Sequence, residues 1–455
     1  MRGKVFVGYL ICIFGFGLTV WSFFPGAMSG DSPSNLNSGR DEYYYDIHSP
    51  VLSFIWGRLD EVVPGPALMF GLQNLVFWGT CALLWAITYR ESFLLGLALT
   101  LFGFTPHILS SLTVVWKDVG MGVALLLSVA LIYAAKKKRS LFFLAVSFPF
   151  LLIGCAARLN SIIAVIPIAI WSVFVLFSIL DLRQRILVTA LGGICYIAVL
   201  AAGAHWITYT LTEGRTTYPF QQNYLYDLAA ISLRRGEILF PDYVVRNELF
   251  VPELLGSRYN TRSVNELLYP GLPLPGDRQI LPLTEDPNEV EALKDKWFET
   301  VTQHPGDYLI HRSKVFGILI GLDRSVPASQ QYLGFTDSPP EYRGSENAGF
   351  QILMKYFHAF RRPFPQTFFF RAIVWLLLCA FLLYKAWKNN FVRDWDIVTA
   401  LAASCLMYTL AYFPTTPSTE FRYLFWPALA SAVAVIFGIY LLRNNRAERG
   451  LTAEV

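Results

Sequence analysis

An all-α, polytopic membrane fold of about ten transmembrane helices is what this sequence predicts, and three observations predict it. Hydrophobic residues make up 54% of the 455 positions, charged residues only 15%, and mean hydropathy is +0.43, whereas a typical soluble domain carries roughly 25% charged residues. The apolar residues are gathered into runs of about 20, the length that crosses a hydrocarbon layer. Lysine and arginine then sort between alternate loops, the bias that orients a multi-spanning chain.

In order, the apolar runs place spans at residues 5–24, 67–89, 92–112, 119–135, 141–156, 161–180, 186–208, 367–385, 395–413 and 423–442. The first lacks a small-residue cleavage site of the signal-peptide kind and reads as a retained helix. All six cysteines (Cys12, Cys81, Cys155, Cys195, Cys379 and Cys405) lie in apolar runs, where free Cys behaves as a small hydrophobe, so no disulfide framework is implied. The net charge of +4 gives no reason to invoke nucleic acid, and no zinc-type Cys/His spacing is present.

One set of loops carries Arg2 and Lys4, Arg90, the run Lys136 to Arg139, Arg183 and Arg185, Lys385, Lys388 and Arg393, and the tail residues Arg443, Arg446 and Arg449. The short loops of the other set hold only Arg40, Arg58, Lys117, Arg158 and Arg422. Positive charge marks the cytoplasmic side, which puts both termini in the cytoplasm. The chain then divides into an N-terminal transmembrane core (1–210) with a first external loop at 25–66, an extracytoplasmic domain (211–366), and C-terminal transmembrane helices with a cytoplasmic tail (367–455). The external domain is expected to be mainly helical over 289–320, where apolar residues recur near helical spacing. It is expected to be irregular around Pro270, Pro273, Pro275, Pro282 and Pro287.

The first external loop holds Asp31, Asp46 and His48, residue types that accept a proton from a hydroxyl nucleophile. Asp31-Ser-Pro also fits a turn cap, and Asp46 a solvated loop acid. The following stretch, 51–63, sets Val51, Ile55, Leu59 and Val62 on one helical face with Arg58, Asp60 and Glu61 off it, the pattern of a helix lying in the membrane interface. Three further external corners pair charged or polar residues with a span end: Trp116-Lys117-Asp118, Arg158-Leu-Asn160 and Glu420-Phe-Arg422-Tyr423. Each alone fits a snorkelling anchor with its counter-ion. Taken together, cations that are scarce on this side form a cradle at headgroup level, and a phosphate is its natural guest.

This succession, from Pro25-Gly26 and Ser29-Gly30-Asp31-Ser32 through Asp46-Ile-His48-Ser-Pro50, Trp116-Lys117-Asp118, Arg158-Leu-Asn160 and Tyr226-Asp227 to Ser232 and Phe421-Arg422-Tyr423, resembles bacterial membrane glycosyltransferases of the GT-C superfamily. The resemblance covers most of the chain in order and topology, through motifs that are individually short. It implies a many-helix core in the bacterial inner membrane, a sugar donor carried on polyprenyl phosphate, and a glycan or lipid acceptor. Asp31 matches the catalytic acid of the first external loop, and Asp118 the second acid near the start of the fourth span. His48 departs from the His-Pro that relatives often show, which leaves its role open. No oligosaccharyltransferase-type signature is evident in the external region, so a peptide acceptor is not expected.

On this reading Lys117, Arg158 and Arg422 hold the leaving phosphate, and Asp31 is the base in a direct displacement with inversion. Retention calls for a second close carboxylate, for which Asp46 or Asp118 are the candidates. Asn160, Tyr226, Asp227 and Tyr423 are expected to line the substrate site, and His311 with Arg312 offers a further lipid-phosphate contact. No metal is expected, because the acids are spread over separate loops with no two His sharing a helical face beside them, and no cofactor is implied beyond the lipid-linked donor. The rival reading is a transporter or flippase of lipid-linked glycans, which would place ionisable groups or broken helices near the bilayer midplane.

Overall fold

The computed structural model describes residues 2–178, 181–269, 279–323, 333–361, 367–388 and 394–453. Pro270, Pro273, Pro275 and Arg393 lie outside the described residues, as do the side chains of Arg2, Lys4, Arg446 and Arg449. Every named element among the described residues is helical. The N-terminal half runs α1 (Arg2–Phe23), α2 (Asp31–Arg40), α3 (Pro50–Asp60), α4 (Ala67–Thr88), α5 (Phe93–Leu101), α6 (Pro106–Leu112), α7 (Lys117–Lys138), α8 (Leu141–Ala156), α9 (Ser161–Leu176) and α10 (Leu182–Thr212). Next come α11 (Gln221–Arg235), the short α12 (Asp242–Val245), α13 (Pro252–Arg258) and α14 (Asn265–Leu268), then α15 (Pro287–Gln303), α16 (Pro305–Leu319) and α17 (Ala348–Arg361). The chain ends with α18 (Ala372–Lys388), α19 (Trp395–Thr415) and α20 (Phe425–Ala453).

Among the described residues, six helices are long and apolar enough to cross a membrane: Val5–Phe23, Ala67–Thr88, Lys117–Lys138, Arg183–Thr212, Trp395–Thr415 and Phe421–Asn444. A seventh is added if Phe93–Phe104 and Pro106–Leu112, which meet at a 58° bend, count as one. Each of the ten expected stretches holds helix among the described residues, yet α8 and α9 have 16 residues each and α18 has 17. At 1.5 Å per residue these rise only about 24–26 Å, less than the roughly 30 Å hydrocarbon layer. The Arg158 to Asn160 turn cuts α8 and α9 short.

Local chemistry sets the helix ends. The side chains of Ser49, Ser92, Asp181 and Asp286 accept backbone N–H bonds at the starts of α3, α5, α10 and α15, relieving donors that a first turn leaves unpaired. Helix α7 closes on Lys136, Lys137 and Lys138, where cations oppose the negative end of the helix dipole. Of its apolar window 94% is buried, so α7 is the central post, packed by α4, α8, α9 and α20.

At the end of α7 that carries this lysine run, the loops with Arg90, Lys136 to Lys138 and Asp394 gather. Lys136 bridges Asp394 (2.9 Å) and Asp396 (2.6 Å), Lys137 bridges Asp394 and Glu91 (2.8 Å each), and Trp171 Nε1 donates to Asp396 at 2.9 Å. One ion-pair network thus ties α7, α9 and α19 together.

The expected unit 211–366 divides in two. Residues from Leu225 to Val315 enclose a separate core with Leu267, Ile280, Leu281 and Leu293 at its centre. Leu319, Phe335, Phe350 and Phe357 instead join the membrane core, because the apolar face of α17 packs on Phe23 of α1, with ring centroids 5.1 Å apart for Phe350. The helix expected over 51–63 is present as α3, with Val51 of its expected apolar face buried and Ile55 and Leu59 packed on the core. Ser53, Trp56, Gly57 and Asp60 are buried as well, while Val62, beyond its end, is 73% exposed. The added burial comes from α2, an unforeseen helix whose Arg40 forks onto Asp60 through two 2.8 Å hydrogen bonds.

Gly39 and Gly57 let α2 and α3 touch backbone to backbone: a Cβ on Gly57 would lie 2.4 Å from the Gly39 carbonyl oxygen. Gly57→Ala should therefore cost about 1–3 kcal/mol by overpacking, seen as a lowered unfolding midpoint in detergent. Gly71→Ala, which meets open space, should hold or raise that midpoint.

Candidate functional site

The site is assembled where the chain leaves α1 and where it enters α7. Gly26, with φ +113°, turns the chain tightly against Phe70, a conformation that favours glycine. Residues 27 and 113–115 then run side by side, Ala27 N–H donating to Thr113 O at 3.0 Å and Val115 N–H to Ala27 O at 2.9 Å. Trp116 Nε1 donates to Ser29 Oγ (2.6 Å) and Ser32 Oγ donates to Val115 O (2.7 Å). These bonds hold Asp31, first residue of α2, beside Lys117, first residue of α7. Asp31 and Asp118 both stand in first helical turns, where the helix dipole favours a negative charge.

A third segment completes the cluster. In the 3-10 turn Phe421–Leu424, Arg422 donates from Nη1 to Asp31 Oδ2 at 2.6 Å, and its Nε pairs with the Glu420 carboxylate. Lys117 Nζ lies 3.9 Å from Asp31 and donates to Ile47 O at 3.0 Å. Arg158 pairs with Asp118, and its guanidinium stands 4.7 Å over the ring of Tyr423. That ring stacks on Tyr412 at 5.4 Å. The Asp31 side chain is 33% exposed, against 6% for Arg422, 6% for Glu420 and 1% for Asp118. Between Asp31, Asn35, Trp56, Met69 and Lys117 lies a cavity of about 10 Å³, room for about one water.

Asp31, Lys117, Asp118, Arg158, Arg422 and Tyr423, expected from separate corners, thus meet in one cluster. Its charge differs from the expected cationic cradle: three carboxylates, counting Glu420, face three cations. Burial is the reason, since an unpaired buried charge costs several kcal/mol. Burial pushes Asp31 toward its neutral form, but Arg422, Lys117 and His48 outweigh it and hold the carboxyl well below the usual carboxylate range. Burial, reinforced by Lys117 and Arg422 against the opposing pull of Asp31, lowers His48 to about 4, so its imidazole is neutral near pH 7.

Other expected residues are placed elsewhere. Asp46 accepts from Thr216 Oγ1, Thr217 N–H and Thr217 Oγ1 at 2.6–2.8 Å. Its carboxylate pins the 216–217 loop rather than standing open beside Asp31. Asn160 lies at the start of α9 and forms no cap bond. Asp227 is sealed in the second core, taking Arg312 at 2.7 and 2.8 Å, Trp297 Nε1 at 2.8 Å and His311 at 3.3 Å. Tyr226 is fully buried beside it and donates to Asn260 O at 2.6 Å. These two hold the second core together, and Arg312, 0% exposed, is closed to the lipid phosphate expected of it.

Two residues that act on Arg422 or Asp31 carry no catalytic or binding role in the sequence. Glu420 reads there as a local counter-ion of Arg422, and only the fold brings Asp31 to the other end of the same guanidinium. Tyr269, whose hydroxyl accepts from Gln222 Nε2 at 3.0 Å, has its phenol pushed up to about 12, first by burial and then by the negative charge of Asp31. It lies 238 positions from Asp31 in sequence, in a Pro-rich stretch with no local signal. Compared with protein-family models, characterised proteins and solved structures, the chain matches none.

His48 supplies a pH test. With a folded value near 4 against an ordinary value of about 6.5, the folded state binds fewer protons than the unfolded chain across that window. Stability therefore rises with pH from about 4 to 6.5 and falls toward acid, by at most about 1.4 kcal/mol per pH unit for one group. The lowered Asp31 acts in the same direction, at lower pH. His48→Gln should flatten the unfolding midpoint between pH 4 and 6.5 relative to the native protein; an unchanged slope would remove His48 from the buried, neutral role.

Proposed function

We propose that this protein is a membrane glycosyltransferase of the GT-C type, moving a sugar from a polyprenyl-phosphate donor to a surface glycan or lipid acceptor. The observation that carries the reading is the cluster itself. A partly exposed carboxylate, Asp31, stands against Arg422 and Lys117 where apolar helices begin and end. A lipid-borne phosphate sugar places its scissile bond at that depth.

The chemistry follows from the residues. The acceptor hydroxyl attacks the anomeric carbon and passes its proton to Asp31. The bond from that carbon to the phosphate oxygen breaks, and its electron pair leaves with the phosphate. Lys117 and Arg422 are fixed before the reaction and stabilise the charge that develops on that oxygen. Arg158, tied to Asp118 over Tyr423, contributes its field from behind. With Asp118 sealed and Asp46 bound to Thr216 and Thr217, a single displacement with inversion suits the site better than two carboxylates in retention.

The topology that accompanies this reading has ten crossings, α8, α9 and α18 being short ones tolerated by local thinning of the bilayer. The Lys136 to Lys138 end faces the cytoplasm of a bacterial inner membrane, as do both termini, and the Asp31 cluster faces outward. One observation favours the transporter reading, the 58° break between α5 and α6. The break is closed by the protein's own side chains: Thr105 Oγ1 donates to Phe102 O at 2.7 Å and Tyr356 OH to Phe104 O at 2.8 Å. Transporter ion sites use such carbonyls for cargo.

Asp31→Asn, in protein that inserts and accumulates normally, should lower sugar transfer from a polyprenyl-phosphate donor by about 10²–10⁴-fold, the range for loss of a general base. Undiminished transfer sinks the assignment. Movement of an intact lipid-linked substrate with no new glycosidic bond would favour the transporter.

A further inference from the structure

Arg422 is held by two carboxylates that are not equivalent. Glu420 is 6% exposed at its side chain and sits on a strap fixed from the external domain. Val264 N–H donates to Pro417 O at 2.9 Å, Thr419 N–H to Arg262 O at 2.8 Å, and buried Arg312 Nη1 to Thr416 O at 2.8 Å. Ser418 Oγ donates to Glu420 Oε1 at 3.3 Å from within the same strap. Asp31, by contrast, is 33% exposed and holds Arg422 through one oxygen, with Lys117 at 3.9 Å from that same atom. The cluster is also already neutral, three carboxylates against three cations. An added phosphate cannot find an unpaired cation there; it must replace an anion.

We infer that Glu420 is the fixed anchor of Arg422 and Asp31 the exchangeable one, so that a phosphate monoester or diester seats by taking the place of Asp31 on Arg422 and Lys117. The inference rests on the glycosyl-transfer reading and adds the order of events within it. Before donor binds, the base is silenced by its two cations. Once phosphate occupies them, the Asp31 carboxylate is released beside the acceptor with its ordinary basicity returning. The donor thereby switches on the group that attacks it, and Asp31 is not left as an active base in a site without donor. Glu420 is then a positioning residue, keeping Nε of Arg422 occupied so that the outer edge of the guanidinium faces the exchangeable anion.

The test separates binding from turnover with farnesyl phosphate as the probe and farnesol as its uncharged control, using the full-length protein in nanodiscs. Asp31→Asn removes the competitor and should bind farnesyl phosphate on the order of tenfold more tightly than the native protein while losing sugar transfer. Glu420→Gln should show no such gain, and farnesol binding should be the same in all three proteins. If Asp31→Asn binds farnesyl phosphate no better than the native protein, or if Glu420→Gln gains as much, the exchange is overturned while glycosyl transfer stands. If the native protein and Asp31→Asn both fail to prefer farnesyl phosphate over farnesol, the phosphate site and the exchange fall together. Should Asp31→Asn not accumulate, Asp31→Ser makes the same comparison.

Discussion

The burial of helix α7 is the constraint from which the rest follows. Its 22 residues rise about 33 Å, and the middle of the helix meets only other helices. Charge is therefore confined to its ends. Lys117 and Asp118 stand at one end, Lys136 and Lys137 at the other, and each is paired with an oppositely charged residue from another part of the chain. Asp118 holds the α8 to α9 turn through Arg158, Lys117 faces the loop that carries Asp31, and Lys136 holds the start of α19. A post packed on all sides and pinned at both ends gives Lys117 a fixed position relative to Asp31, as the proposed reaction on a phosphate leaving group would require.

The same burial explains why the candidate site is neutral. Carboxylates and cations removed from water persist only as pairs, so the chain supplies one acid for each cation. What varies is how firmly each acid is held. Asp118 is enclosed, Glu420 is strapped down by residues of the second core, and Asp31 reaches the surface. The second core thus acts on the Asp31 cluster through the 416–420 strap, whose backbone its residues hold at Thr416, Pro417 and Thr419. The polar core around Asp227 and Arg312 is the far anchor of that strap. Its residues resemble functional ones in sequence because both uses need charged and aromatic groups in a confined space.

The apolar runs alone placed ten stretches, each of which holds helix among the described residues, because a run of about 20 apolar residues has few other ways to satisfy its backbone in a membrane. The pattern was less informative about length, since residues 161–180 continue as apolar beyond the end of α9 at Leu176. Helix α2 escaped it altogether: Asp31-Ser-Pro-Ser-Asn reads as loop, and the helix is held by its glycine contact with α3 and by Arg40 on Asp60. The convergence of Asp31, Lys117, Asp118, Arg158 and Arg422 was legible as a set of unusual residues at span ends on one side. Topology places such corners near one another before any packing is known.

Sequence by itself, then, determined the helical, membrane-crossing character of the chain, the end of the bundle where scarce charges lie, and the identities of most of the cluster. Hydrophobic length and charge asymmetry are local quantities that a chain carries in one dimension. The tertiary structure decided which acid meets which cation: Asp31 and Glu420 on one guanidinium, Asp118 withdrawn onto Arg158, Asp46 and Asp227 committed to holding loops and domain. Pairing between residues hundreds of positions apart is set by packing, and at a few ångströms packing decides whether a carboxylate is an exposed base or a buried strut.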